Sequence, residues 1–182
     1  NTAVGSAALA KLTTAGENTA VGASALGANT SGAANTALGI NALFANTTAA
    51  NNTAVGRSSL EGNTTGTSNT AVGKDALQGN TTADNNTAVG YAALEANTTG
   101  TENTSVGADA MQTSVTGNYN VAVGGNALFA ANGADSNTGI GYNALAATTT
   151  GEFNTAVGSA ALATNTTADN NTAVGRSALL VN

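Results

Sequence analysis

Three acidic residues, Asp135, Glu152 and Asp169, are spaced by 17 residues each, and Asp84 lies three such intervals before Asp135. Paired carboxylates can hydrolyse glycosidic bonds, one acting as an acid and the other as a base or nucleophile. The chain has no His and no Cys, which excludes Ser-His or Cys-His nucleophile pairs and imidazole or thiolate metal sites. A solvated acidic edge explains the carboxylates more simply, so we expect neither catalysis nor a cofactor.

The same 17-residue spacing orders the whole chain. An Asn recurs at this interval, without insertion or deletion, from Asn1 to Asn171, and the unit reads N-T-A-V-G-x-x-A-L-x-x-N-T-T-(G/A)-x-x. We number the positions of the unit from that Asn. Residues 1–182 therefore form a single array of ten units and a partial eleventh, which we expect to be part of a longer chain.

The length and composition of the unit indicate its fold. Seventeen residues are too few for the helix pairs of helical solenoids, which need about 33 to 47 residues, but they suit one coil of a β-solenoid. Thr and Val favour strands, and Asn-Thr clusters are poor helix formers. The pattern predicts an all-β β-solenoid or β-roll with two or three short strands per coil. A helical turn at the Ala-Leu pair is the alternative.

Two apolar columns of the repeat predict the core. Position four is always Val, Leu or Ile, and position nine is always Leu except at Met111. Positions three and eight are almost always Ala, so we expect neighbouring chains to pack closely against them. The predicted core residues are Val4, Leu9, Val21, Leu26, Val55, Leu60, Val72, Leu77, Val89, Leu94, Met111, Val157 and Leu162.

Glycine and asparagine mark the predicted turns. Position five is Gly in every unit, which indicates positive φ or a close approach of the backbone. Most units have a second Gly near their end, such as Gly66, and the three that lack it have Asn at position seventeen. The predicted turn residues are Gly5, Gly22, Gly39, Gly56, Gly73, Gly90, Gly107, Gly124, Gly141, Gly158, Gly175, Asn51, Asn85 and Asn170.

The charged and aromatic side chains occupy the variable columns, which we expect to face water. The rings are either isolated surface residues or contacts for sugars or for other chains. These residues are Phe44, Tyr91, Tyr119, Phe129, Tyr142 and Phe153. The net charge is −6 with four basic residues, which disfavours nucleic acid, and no apolar run is long enough for membrane insertion by this segment.

Stacked coils would place identical Asn and Thr side chains about 4.8 Å apart, where each can pair with its copies, and the array would span roughly 50 Å. One Val and one Leu per unit contribute on the order of 3 to 6 kcal/mol. Ordering 17 residues costs about 1 to 2 kcal/mol for each residue. This small interior indicates self-association into a homo-oligomeric fibre, and we expect a parallel homotrimer.

The motif NTAVGxxAL resembles the head repeats of trimeric autotransporter adhesins, in which three chains form a parallel β-roll. It is also similar to the repeats of bacterial surface proteins and phage tail fibres that end in a self-cleaving chaperone domain. The resemblance covers the whole chain, although the adhesin unit is usually shorter than 17 residues. It implies a structural or adhesive extracellular fibre, on a cell surface or virion, with a cell-surface or glycan ligand.

An ice-binding β-solenoid is the alternative function. Regular outward Thr columns on a flat β-face can order water, and position fourteen is Thr or Ser in nine of ten units. That position lies beside a turn, and therefore we prefer the fibre.

Overall fold

A computed structural model describes residues 1–181 of the protein, and Asn182, the last residue of the predicted array, lies outside the described residues. The described chain is an all-β parallel β-solenoid of about ten coils, without a helix. Each coil contributes one short strand. The strands are β1 Thr2–Val4, β2 Thr19–Val21, β3 Thr36–Leu38, β4 Thr53–Val55, β5 Thr70–Val72, β6 Thr87–Val89, β7 Thr104–Val106, β8 Val121–Val123, β9 Thr138–Ile140, β10 Thr155–Val157 and β11 Thr172–Val174.

The eleven strands form one parallel sheet in chain order. Every strand pairs with the next in the register of the repeat, so that Thr2 lies opposite Thr19 and Val4 lies opposite Val21. The units therefore stack directly on one another, one strand spacing of about 4.8 Å apart.

Each coil has one strand, so the prediction of two or three strands per coil is wrong. Backbone hydrogen bonds between coils nevertheless continue beyond the strands, from Leu26 N to Ala42 O (3.0 Å) and from Thr30 N to Thr47 O (2.9 Å). Positions seven and nine have positive φ in every coil, as Leu26 does at 50°. Because these left-handed residues interrupt extended geometry, the rest of the coil consists of turns.

The turns after the strand also replace the helical alternative for the Ala-Leu pair. Ala25 N donates to Gly22 O at 3.4 Å, and Asn29 N donates to Leu26 O at 3.1 Å. Both bonds span three residues, as in β-turns. Ser24 and Leu26 have left-handed φ, 59° and 50°, which prevents these bonds from joining into a helix.

The interior of the solenoid is built from the leucines of position nine and the alanines of positions three and eight. The Leu side chains are fully buried from Leu26 to Leu162, with Met111 in the same column, and Leu9 is 9% exposed in the first coil. A Cβ added at Gly139, which occupies position three, would lie 3.3 Å from Leu128 Cγ. Position three thus packs on the Leu of the preceding coil. The expectation that neighbouring chains cover the Ala columns is wrong for this reason.

The valines of position four lie outside this interior, which corrects their predicted place in the core. Successive side chains of a strand point to opposite faces, so burying the Ala of position three turns positions two and four outward. Val89 is 36% exposed and Val4, in the first coil, 57% exposed. The same correction applies to Val21, Val55, Val72 and Val157, which are partly or largely exposed.

The glycines of position five have φ between +127° and +143° in all eleven coils. This region is open to Gly and strained for other residues. The backbone also approaches closely there, since a Cβ on Gly90 would lie 2.5 Å from Gly107 O. Both properties follow from the sharp corner at the end of each strand.

The corner before each strand is made by position seventeen, whatever its residue. Asn51 (62°), Asn85 (60°) and Asn170 (59°) have left-handed φ, and so do the residues at this position in the other seven complete units. Gly66, at position fifteen, does not have positive φ, but a Cβ there would lie 2.3 Å from Ala83 O. The prediction that such glycines replace Asn in the turn is therefore wrong, because Gly66 serves close packing instead.

Candidate functional site

The outward side of the sheet is the most regular surface of the molecule. We call it the strand face and define it as positions two and four of the eleven coils. Position two is Thr in every coil except at Val121, and position four is Val, Leu or Ile. The two columns lie about 7 Å apart and run for roughly 50 Å along the axis, given the usual strand dimensions.

The strand face is neutral and partly apolar. It carries no charged side chain. The Thr hydroxyls of position two make no side-chain hydrogen bond among the described residues, so the predicted pairing of each Thr with its copy is not seen there. Several apolar side chains of position four are more than a third exposed, among them Leu38, Val72, Val89, Val123 and Ile140. The face therefore offers free hydroxyls beside an apolar stripe.

Behind this face, the Asn of position one forms a buried ladder. Asn69 donates from its backbone N–H to Asn52 Oδ1 at 2.9 Å and from its side chain to Ala83 O at 2.8 Å. The Asn residues of this column are almost fully buried from Asn18 to Asn154. They satisfy buried backbone groups at the corner between two coils, and this fixes the strand face from the inside.

A second buried ladder runs through position twelve. Asn80 donates from its side chain to Asn63 Oδ1 at 2.8 Å and to Ala83 O at 3.1 Å. The column is interrupted in coils seven to nine by Ser114, Ala131 and Thr148. Ser114 Oγ is buried without a hydrogen-bond partner. Coils seven to nine therefore lack the Asn-to-Asn hydrogen bonds of this ladder.

The Thr of position thirteen bonds to the backbone rather than to its own copies. Thr64 Oγ1 donates to Thr81 O at 2.9 Å, and Thr30 Oγ1 donates to Thr47 O at 3.0 Å. Each bond joins one coil to the next. This Thr column holds the coils together through the backbone, whereas the Asn columns also pair side chain to side chain, as Asn80 does with Asn63.

The carboxylates of position sixteen act within the fold. Asp84 Oδ1 accepts from Thr67 N at 2.6 Å, and Asp135 Oδ1 accepts from Asn118 N at 2.7 Å. Asp169 Oδ1 accepts from Glu152 N at 2.7 Å. Each of these bonds joins one coil to the preceding one just before the strand begins, and so extends the ladder of bonds between coils. No cluster of three or more acidic residues suited to a metal ion occurs among residues 1–181.

Three of the six aromatic rings have partners within the chain. The ring of Tyr91 lies under the Lys74 amine, 5.0 Å from its centroid. Lys74 also pairs with Asp75 at 2.7 Å, and this hydrogen bond raises the pKa of the lysine. A Cβ added at Gly27, in the coil before Phe44, would lie 3.3 Å from the Phe44 ring. A Cβ added at Gly125, in the coil before Tyr142, would lie 3.5 Å from the Tyr142 ring. Packing on the neighbouring coil therefore explains these three rings.

The remaining rings are Phe129, Tyr119 and Phe153. Phe129 lines a shallow depression with Asn126, Asn143 and Ala146. Tyr119 and Phe153 both occupy position seventeen and are each 56% exposed. No hydrogen bond or cation contact to either ring is found in the described part of the chain.

Comparisons with protein-family models, with curated proteins and with solved structures find no match to this chain. Among the described residues, no helix has the length and apolar character that crossing a membrane requires. The surfaces of the solenoid are therefore the features that bear on its function.

The burial of the two Asn ladders is a feature that the sequence predicts only in part. The unbroken column predicts that each Asn stacks on its copies, but this prediction does not include its burial. The signal was available, because position one admits no other residue in eleven units. A surface column would have tolerated Ser, Asp or Lys.

Proposed function

We propose that the protein is a non-catalytic segment of a structural and adhesive extracellular fibre that assembles from copies of itself through the strand face. The observation that carries this proposal is the apolar stripe at position four, which is unbroken over eleven coils and partly or largely exposed in the single chain. Contiguous apolar surface of this kind marks an interaction site in soluble proteins.

A copy of the same chain is the partner that fits this stripe best. The stripe repeats at about 4.8 Å along the axis, so a partner must present apolar groups at the same interval over the same length. A second strand face in parallel register meets this requirement. The Thr beside each Val would then form the rim of the interface, where its hydroxyl can remain hydrated.

Three chains are proposed from the resemblance to trimeric adhesin heads and tail fibres, and so is a cell-surface or virion location. The strand face is one short strand wide, so three faces meeting around an axis would bury the position-four column of each chain. The Asn ladders and the buried Leu column give each chain its own interior, and assembly would then add length and stiffness.

Sedimentation velocity with averaged images of frozen particles tests the proposal. We expect three-fold particles of the native chain, and monomers of the same coil diameter when Val72 and Val89 are both changed to Asp. A matched control changes Lys74 and Glu95, which lie away from the strand face, to Ala and should leave the assembly intact. A native chain that stays monomeric at all concentrations would refute self-association.

Ice binding is the second candidate, because the same face is a regular, uncharged two-column array with free Thr hydroxyls. Such an array can order water at a regular spacing. The two candidates make opposite demands on the strand face, which is buried in a fibre and open in an ice binder. Thermal hysteresis in a cooled droplet of monomeric protein, lost when Thr87 and Thr104 are changed to Tyr, would favour ice binding over the fibre.

A further inference from the structure

We propose that Tyr119 and Phe153 form a binding strip for a neutral polysaccharide that runs along the fibre axis. The inference rests on the adhesive part of the proposed function and gives it a ligand class. It starts from the backbone of position seventeen, where both residues have left-handed φ, 58° for Tyr119 and 57° for Phe153.

A bulky aromatic residue is a poor choice for this conformation. Left-handed φ is favourable for Gly, is tolerated by Asn, and is unfavourable for large side chains. Among residues 1–181, the other bulky apolar residues with this φ are the Leu and Met of position nine, whose side chains fill the interior from Leu9 to Leu162. Three other units use Asn at position seventeen, at Asn51, Asn85 and Asn170. The two rings are more than half exposed, unlike the buried Leu side chains of position nine, so they add little to the interior. Their presence therefore indicates a contact outside the chain.

The spacing of the two rings suits an extended ligand. They occupy the same column in coils seven and nine, and the intervening coil has the small residue Ser136. Two strand spacings separate them by about 10 Å along the axis, which is beyond the range in which aromatic rings stack on each other. Both rings remain free to stack on successive parts of a chain-like ligand.

The surrounding charges select the chemistry of that ligand. Asp135 lies between the rings at position sixteen, and Glu152 directly precedes Phe153. One oxygen of Asp135 holds the backbone N–H of Asn118, and no hydrogen bond to the Glu152 carboxylate is found in residues 1–181. Carboxylate oxygens accept hydrogen bonds from hydroxyl groups. The net charge of −6 repels anionic polymers, so a neutral polysaccharide with stacking CH faces and hydroxyl groups fits the strip.

The test measures retention of the full chain on three neutral polysaccharides, cellulose, chitin and amylose, with alginate as the anionic comparison. We expect retention on at least one neutral polymer. Changing Tyr119 and Phe153 together to Asn should weaken it by about tenfold or more, since two stacking contacts are lost. The matched control is Tyr142→Asn, which removes a ring of similar exposure, 58%, from a different column and should leave retention unchanged.

Two further readouts separate this inference from the proposed assembly. The melting temperature of the double variant should equal or exceed that of the native chain, because Asn suits left-handed φ. The number of chains per particle of the double variant, measured by sedimentation, should equal that of the native chain. Retention on no neutral polymer, equal retention of the double variant, equal loss in the Tyr142 control, or a changed chain number in the double variant would each overturn the polysaccharide strip. The first two outcomes leave the fibre proposal standing.

Discussion

Asn52 Oδ1 accepts two hydrogen bonds from the Asn one coil later, from Asn69 N at 2.9 Å and from Asn69 Nδ2 at 3.2 Å. The same Asn69 side chain donates to Ala83 O at 2.8 Å, and its own Oδ1 accepts from Asn86 N at 2.9 Å. One amide therefore satisfies groups in three consecutive coils. No other side chain of similar size carries both a donor and an acceptor in this arrangement, which explains why position one never varies.

Changing Asn69 to Ala should destabilise the solenoid strongly. The variant leaves Ala83 O and Asn86 N buried without these partners, and each unsatisfied group costs about 1–3 kcal/mol. We expect a lower melting temperature by circular dichroism. The control is Asn132→Ala, because Asn132 is exposed. Equal effects of the two substitutions would contradict the role of the buried ladder.

The Asn69→Asp variant should be sensitive to pH. A carboxylate at this buried site cannot donate to Ala83 O, whereas the protonated acid can. Burial would raise the pKa of this carboxyl in the folded state above its unfolded value of about 3.9. The folded form then binds more protons, so stability should fall as pH rises from about 4 to 7. The melting temperature relative to the native chain at each pH checks this, and a difference independent of pH would refute it.

Restoring the second ladder should stabilise the protein. Ser114 lies between Asn97 in the preceding coil and Ala131 in the next, and its hydroxyl has no partner. In Ser114→Asn, the amide should donate to Asn97 Oδ1 and Gly117 O, as Asn80 donates to Asn63 Oδ1 and to Ala83 O. We expect a gain of about 1 kcal/mol and a rise of roughly 2–4 °C in melting temperature.

The reverse change in an intact part of the ladder is the matched control. Asn80→Ser creates beside Asn63 the same defect that Ser114 forms beside Asn97, so it should lower the melting temperature by a similar amount. Stabilisation by both changes would show that the Asn80–Asn63 hydrogen bond does not stabilise the intact part of the ladder. Destabilisation by both would show that coils seven to nine have a different interior.

Much of the fold followed from the repeat itself. Unbroken spacing predicted stacked coils, the Leu column marked buried positions, and Gly at position five marked a corner with positive φ. These inferences succeed because each depends on a property that one residue type supplies alone, such as the absence of a Cβ at Gly90. The solvated edge predicted for the acidic residues of position sixteen omits the hydrogen bonds that the aspartates accept from the backbone of the preceding coil, such as the bond from Thr67 N to Asp84 Oδ1.

The orientation of the strand could not be read from the sequence. Positions three and four are both apolar, and a three-residue strand is too short for alternation to show which faces inward. The usual burial of Val predicts Val89 in the core, whereas in the structure the small Ala88 fills the space beside the Leu column. The left-handed conformation of Leu94 was equally hidden, because no local propensity predicts it for Leu. The strand face, and with it the candidate site, therefore needed the structure.

Charge substitutions on the two sides of the strand should separate folding from assembly. Leu94→Asp places a carboxylate in a fully buried site and should destabilise by more than about 4 kcal/mol. Val89→Asp places it on the strand face, so the isolated chain should change by less than about 1 kcal/mol while association is weakened. Urea melts and sedimentation of both variants check this. Equal destabilisation by the two substitutions would show that Val89 belongs to the core.

Two glycines of the same column should separate backbone strain from steric overlap. Gly90 and Gly175 have similar φ, +137° and +127°, but a Cβ on Gly90 would lie 2.5 Å from Gly107 O, whereas the nearest atom to one on Gly175 is 3.9 Å away. Gly175→Ala should therefore cost only the strain, about 1–3 kcal/mol. Gly90→Ala adds a clash with the backbone of the next coil, so its cost should be clearly larger. Urea melts measure both costs. Equal costs would show that the coils can move apart to accept a methyl group. Glycine would then permit the close stacking of the coils, but the close stacking would not require glycine.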